Sequence, residues 1–238
     1  MKSEIIMHIP HSSKAIPSEY MEAYHDVAEL NETLLKLTDT YTDELFAVDG
    51  VEKIIFPYSR TFCDVERFLQ DEPMESKFGQ GYYYTNGINL KPFRTEINKE
   101  TVRDKYYTPH HAFMKETIRK LNNPLLIDCH SFSDEIYKCS PFESRELPDI
   151  CLGVNEGDYH AQNLCSRFYD YFTGQGLKTA INFPYSGSFQ IDKVPSVMIE
   201  INKRLYLHDD LLTKRSDFYK TKALVKFSVK KIQEYTVE

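Results

Sequence analysis

The sequence predicts an α/β fold: one three-layer domain over residues 1–238, with a mostly parallel or mixed central sheet and helices on both faces. Three observations carry this expectation. Short apolar runs of strand length alternate with longer stretches in which apolar residues recur at helical spacing. Several of the short runs end abruptly in polar residues capable of chemistry, as strands do at the rim of an α/β sheet. No repeat, low-complexity tract or Gly/Ser linker divides the 238 residues, a length suited to one sheet covered on both sides.

The elements follow in order. Residues 4–10 form a first strand ending at Pro10-His11-Ser12-Ser13. Residues 18–29 and 31–47 read as helices, with Asn31 as N-cap of the second and Leu34, Leu35, Leu45 and Phe46 on its buried face. Thr38-Asp39 offers a further helix start within that stretch. Residues 51–58 are a strand, followed at once by the polar segment Ser59 to Phe68. Residues 69–97 hold no clear element; with Tyr82-Tyr83-Tyr84 inside, they read as a lid or binding loop rather than a disordered one. A helical region from Asn98 to Asn122 is expected to break near Pro109. Residues 124–130 form a strand rising to Asp128-Cys129-His130-Ser131. Strands at 149–154, 177–183 and 194–201 follow, with a helix at 158–173 stopped by Gly174 and Gly176, and a closing helix at 209–234.

Composition excludes several roles. The formal charge of −7 comes without any block of Lys or Arg, which argues against nucleic acid or an anionic membrane as a partner. Lys226, Lys230 and Lys231 read as a solvated helix face. No run approaches the ~20 apolar residues of a membrane span, and no secretory signal opens the chain. The five cysteines are odd in number and lack a C-x-x-C pair, which suits free thiols in a reducing cytoplasm. Cys129 alternates with Asp128 and His130 on its strand, so it points to the other face, away from chemistry. Nothing in the sequence fixes an oligomeric state.

The polar groups at strand tips are His11, Arg60, Asp64, Arg67, Asp128, His130, Asn182 and Glu200. Asp39, near a helix start after the first strand, can reach the same rim. Two imidazoles and one carboxylate with a position left open form the usual ligand set of a catalytic zinc. Glu200 is then the carboxylate with room to act as general base. Spacing alone leaves this open: there is no H-E-x-x-H, and the ligands come from distant segments. Asp43, one helical turn beyond Asp39, is either a carboxylate that orients a ligand or a charge at a helix N-terminus. Arg60 and Arg67 are forks for a carboxylate substrate or plain surface charges. His8 is expected to be packed or hydrogen-bonded, His110 and His111 packed or at the surface, and His25, His160 and His208 in solvent.

Five segments in order resemble the N-formylglutamate amidohydrolase family. Pro10-His11-Ser12-Ser13 with Pro17 is similar to its P-H-[SA]-G…P opening, and Asp39 to Phe46 to its D-x-x-x-D-x-L-[YF] helix. Tyr58-Ser59-Arg60 with Asp64-Val65-Glu66-Arg67 resembles S-R-x-x-x-D-x-N-R. Asp128-Cys129-His130-Ser131 resembles D-x-H-S, and Glu200-Ile201-Asn202 with Leu205-Tyr206 resembles E-[IL]-x-x-x-x-Y.

The resemblance implies a phosphorylase/hydrolase-like fold similar to zinc carboxypeptidases and aspartoacylases. It implies Zn2+ or another divalent metal, and hydrolysis of the amide bond of a small N-acyl amino acid. His11 and His130 become metal ligands, with Asp39 the third and Asp43 the alternative. Glu200 becomes the base that activates water, and Arg60 and Arg67 serve the developing oxyanion and the substrate carboxylate. Asp64, Asn182, Ser131 and Tyr84 are the further candidates for binding substrate.

Three positions depart from the pattern: Ser13 stands where glycine is usual, Glu66 replaces the asparagine before Arg67, and the loop Gly79 to Tyr84 keeps only a Gly-Gln pair. The departures fall where substrate would be chosen. The other readings are a carboxypeptidase-like or deacylase activity on a larger substrate, and a binding module on the same scaffold that does no catalysis.

Overall fold

A computed structural model describes residues 4–70, 72–140, 142–143 and 146–234. Its strands are β1 (Glu4–Ile9), β2 (Glu52–Ile55), β3 (Pro124–Phe132), β4 (Ile150–Val154), β5 (Thr179–Ile181) and β6 (Ser196–Asn202). Its α-helices are α1 (Val27–Leu37), α2 (Thr42–Leu45), α3 (Pro73–Phe78), α4 (Lys99–Val102), α5 (Thr108–Ile118), α6 (Tyr159–Gly174) and α7 (Phe218–Glu234). The sheet order is β2-β1-β3-β6-β4-β5. Every pairing is parallel except β4 with β6, which is antiparallel. The sheet is therefore mixed and mostly parallel within a single domain.

That one antiparallel pairing decides what reaches the site. β1, β3 and β6 run the same way, so His11, His130 and Glu200 arrive at one rim; the register sets His130 beside Glu200 and His8 beside Asp128. β4 and β5 run the other way, with Val154 beside Val197 at the start of β6, so their carboxyl tips lie at the opposite edge.

The strands alternate their side chains between two faces. One face is mostly apolar: Ile5, Met7 and Ile9 of β1, Leu125, Ile127 and Cys129 of β3, and Val197, Ile199 and Ile201 of β6 pack beneath α2, α6 and α7. At about 25 cal/mol per Å2 of apolar surface buried, this layer is the main stabilising term of the fold. Cys129 belongs to it, as its alternation with His130 requires. The opposite face is apolar only in its first half, where Ile6, Ile54 and Leu126 meet Met114 and Ile118 of α5. Its second half carries His8, Asp128, His130 and Glu200, all buried.

Several element boundaries differ from the sequence expectation. A 3-10 helix at Ser18–Ala23 replaces the first expected helix. α1 is capped by Asp26, which accepts from the Glu29 amide, and not by Asn31. It stops at Leu37, which leaves Asp39 in a turn before α2. The expected break at Pro109 does not occur. α4, a π-helical turn at Arg103–Tyr107 and α5 run on without interruption, and the π-helical turn just before Pro109 is where the backbone bonding adjusts. The closing helix begins at Phe218, after turns held by Asp210.

The described residues of the segment 69–97 are closely packed. Tyr83 and Tyr84 are fully buried, and Arg94 lies 3.4 Å from the centre of the Tyr83 ring. Arg94 also donates to the carbonyls of Thr61 and Phe62 at 3.2 and 2.7 Å, which ties this loop to the polar segment after β2. Among the described residues, no helix is long and apolar enough to cross a membrane.

Candidate active site

The site begins with the turn that presents Asp39. α1 ends at Leu37, and the Asp39 amide donates to the His11 carbonyl at 2.9 Å, locking the turn to the tip of β1. Lys203, just past β6, donates its buried ammonium to the carbonyls of Lys36 and Thr38. The Tyr206 hydroxyl donates to the Thr40 carbonyl. The turn that carries Asp39, itself buried, is thereby held from three directions.

Asp39 faces two imidazoles. Its Oδ2 lies 3.2 Å from His130 Nδ1 and 3.8 Å from His11 Nδ1, and the two rings are 5.1 Å apart between centres. The remaining nitrogen of each ring meets a carboxylate. His11 Nε2 is 2.9 Å from Asp64 Oδ1; His130 Nε2 is 3.1 Å from Glu66 Oε1 and 3.2 Å from Asp128 Oδ1. With protons on both Nε2 atoms, the carboxylates hold the rings so that both Nδ1 lone pairs turn toward Asp39.

This donor set fits a divalent cation. His11 Nδ1 is buried without a hydrogen-bond partner, a costly state unless a cation takes the lone pair. Two imidazole nitrogens and one carboxylate oxygen, all within 4.8 Å of one another, match three protein ligands with a fourth position open. Carboxylates behind each imidazole are the usual support of a ligating histidine. Asp39 is in this group; Asp43, one turn further on in α2 and half-buried, is in none of the groups found among the described residues.

Electrostatics separate the carboxylates. Burial alone would raise the Asp39 pKa, but the hydrogen bond from His130 and the charges of His130, Lys203 and His11 outweigh it and hold it low. Burial likewise opposes the charged form of Asp64, and Arg60 and His11 overcome it by a wide margin. Glu200 is the opposite case. Burial and then the Asp39 charge push it up to about 8, and its Oε2 is buried without a partner. No neighbour holds its Oε2, so the group can exchange a proton with whatever is bound beside it.

Beside this group stands a second, guanidinium-rich one. Asp64 Oδ2 accepts from Arg60 Nε and Nη2 at 3.1 and 3.0 Å and from the Tyr84 hydroxyl at 2.9 Å. Arg67 Nε is 3.6 Å from the same oxygen. The side chains of Arg60 and Arg67 are 17 and 26% exposed, whereas His11, Asp39 and Asp64 are closed off, so the arginines mark the side open to solvent.

Of the residues expected from sequence, His11, Asp39, His130, Glu200, Arg60, Asp64, Arg67 and Tyr84 come together. Tyr84 holds Asp64 and Arg60 from behind. Asn182 does not join them: it follows β5 at the opposite edge of the sheet, and its amide bonds the backbone of Val154 and Gly187. Ser131 turns to the other face of β3, against Tyr206. Glu66 and Lys203 are the residues that the sequence reading did not select. Glu66 stood out only as a motif departure, and Lys203 gave no signal beyond lying three residues past Glu200.

The fold and the site together define an α/β domain with a buried cluster of imidazoles and carboxylates at the carboxyl rim of its parallel strands. The chain belongs to the N-formylglutamate amidohydrolase family, whose model it matches over residues 3–207. Among solved structures it is similar to the N-formylglutamate amidohydrolase of Ralstonia eutropha JMP134, with a TM-score of 0.83 and 21% identity over 98% of this chain and 94% of that one. A gene product of Agrobacterium tumefaciens gives a TM-score of 0.69 and 18% identity over 98 and 93% of the two chains. No curated protein gives a significant match.

Proposed function

We propose that the protein is a metal-dependent amidohydrolase that cleaves the amide bond of a small N-acyl amino acid, of the N-formyl type, with water. The observation that carries this reading is the convergence of His11 Nδ1, His130 Nδ1 and Asp39 Oδ2 beside the uncommitted carboxylate of Glu200. A divalent cation in that set, zinc by the nature of the donors, supplies acidification of water and polarisation of the scissile carbonyl.

The chain's own groups supply the rest. Glu200 accepts a proton as the water oxygen bonds to the acyl carbon, and returns it to the amine as the C–N bond breaks; the products are a carboxylate and a free amino acid. Arg60, fixed by two bonds to Asp64, places positive charge where the carbonyl oxygen becomes negative. Arg67, more exposed and held less tightly, is free to take the substrate's carboxylate. Five buried cysteines without a disulfide support a cytoplasmic setting.

The test has two parts. Purified protein should retain metal, and His130→Ala should lose both metal and turnover. A panel of N-formyl and N-acetyl amino acids against longer peptides then measures the substrate. Full turnover in metal-free protein, or in His130→Ala, would overturn the reading.

A further inference from the structure

We infer that a second cation site lies behind His130, formed by His8 Nδ1, Asp128 Oδ1 and Glu66 Oε1. His8 and Asp128 are register neighbours on β1 and β3, and their side chains share the polar half of the sheet face. Glu66 reaches them from the segment after β2. The three donor atoms lie within 4.8 Å of one another.

Two features favour a cation over a proton at this position. The first is spacing. His8 Nδ1 is 3.3 Å from Asp128 Oδ1 and 3.5 Å from Glu66 Oε1. A charge-assisted N–H···O bond closes to about 2.7–2.9 Å. Ligand atoms around a tetrahedral ion with bonds of about 2.0–2.1 Å stand about 3.3 Å apart. The 3.5 Å separation from Glu66 matches the second arrangement better than the first, and the 3.3 Å contact with Asp128, a long hydrogen bond as it stands, fits it as well. The second feature is charge. Asp128 and Glu66 are two carboxylates that share histidine partners, and among the described residues neither forms an ion pair with a lysine or arginine. A divalent ion balances the pair.

The surroundings orient the donors. His8 Nε2 lies 3.0 Å from Nε2 of His110, a buried residue of α5. His8 donating there leaves its Nδ1 lone pair facing the two carboxylates. The Phe189 amide donates to Asp128 Oδ2 and fixes Oδ1 toward His8. His130 stands between the two sites. Its Nδ1 faces Asp39, and its Nε2–H donates to the carboxylates that hold the second ion. Loading of the second site would therefore bear on the orientation of a ligand of the first.

Metal stoichiometry tests this. Protein saturated with Zn2+ and then desalted should carry two zinc ions per chain, His8→Ala one, and Asp39→Asn one. One ion in the wild type, or two in His8→Ala, overturns the second site and leaves the first reading intact. No retained zinc at all removes both. Because His8→Ala could unfold the chain, diffraction at the zinc edge from wild-type crystals gives a check that needs no variant. It should show two anomalous peaks, one within about 2.1 Å of His8 Nδ1. A single peak near Asp39 overturns the inference.

Discussion

The Lys203 ammonium lies 2.7 Å from the carbonyl of Thr38, the residue that carries the chain into Asp39. The pair links the end of β6, where Glu200 stands, to the turn that presents the carboxylate donor. Burial lowers the Lys203 pKa to about 8, against the pull of Asp39 and Glu200. Lys203→Met keeps the bulk but leaves the carbonyls of Lys36 and Thr38 without their donor. It should cost about 1–3 kcal/mol of stability, the penalty for stranded buried polar groups. Freed from this support, Asp39 should hold metal roughly 10–100-fold more weakly. Urea unfolding and a competitive zinc titration measure the two effects. Wild-type zinc affinity in a destabilised variant would show that Lys203 braces the fold alone.

Glu200 has no such partner for its Oε2, and that sets it apart from the other buried carboxylates. Glu200→Gln is nearly isosteric and removes only the ability to take up a proton. Turnover should fall by roughly 10^2–10^4, the range of a general base, while bound metal stays at the wild-type level. Metal analysis alongside kcat checks this. Loss of metal together with activity would instead make Glu200 a ligand.

The sequence made the rim legible because polarity there is expensive. His11, His130 and Glu200 each end an apolar run, and an ionisable residue at such a place needs a reason. The strand alternation that sent Cys129 into the core holds in the structure. Asn182 lies apart from the rim although its strand has the same look as the others. Whether a strand tip lies at the near or far edge depends on direction, and only the antiparallel pairing of β4 with β6 reveals it. Glu66 and Lys203 were hidden for a different reason. Their roles come from contacts with residues 55–64 and 165–167 positions away, which no local pattern encodes.

Arg67 and Arg60 share Asp64 unequally, and the inequality suggests a division of labour. Arg60 makes two hydrogen bonds to the carboxylate; the nearest approach of Arg67 Nε is 3.6 Å. A loosely held, partly exposed guanidinium is suited to binding a group present in both the substrate and the transition state. Arg67→Ala should raise KM about 10-fold or more with a smaller change in kcat, the signature of lost uniform binding. Arg60→Ala should lower kcat itself. Steady-state kinetics on an N-formyl amino acid separates them, and an equal fall of kcat in both variants would contradict the assignment.

His111, packed against the rings of Tyr107 and Phe189, gives the fold an acid-sensitive point away from Asp39. Burial first, and then the charge of His8, lower its pKa to about 4. The unfolded chain takes up this proton near pH 6.5, and the folded protein resists it until about pH 4. Stability from this group is therefore complete above pH 6.5 and is lost as the pH falls through the window from 6.5 to 4. At about 1.4 kcal/mol per pH unit the loss amounts to about 2–3 kcal/mol, with allowance for partial exposure. His111→Phe keeps an aromatic ring in the same place and removes the proton uptake. Urea unfolding at pH 7 and pH 4.5 should show a smaller drop in the variant than in the wild type, by about 2 kcal/mol. Equal drops would mean that His111 titrates alike in both states and that acid sensitivity arises elsewhere in the fold.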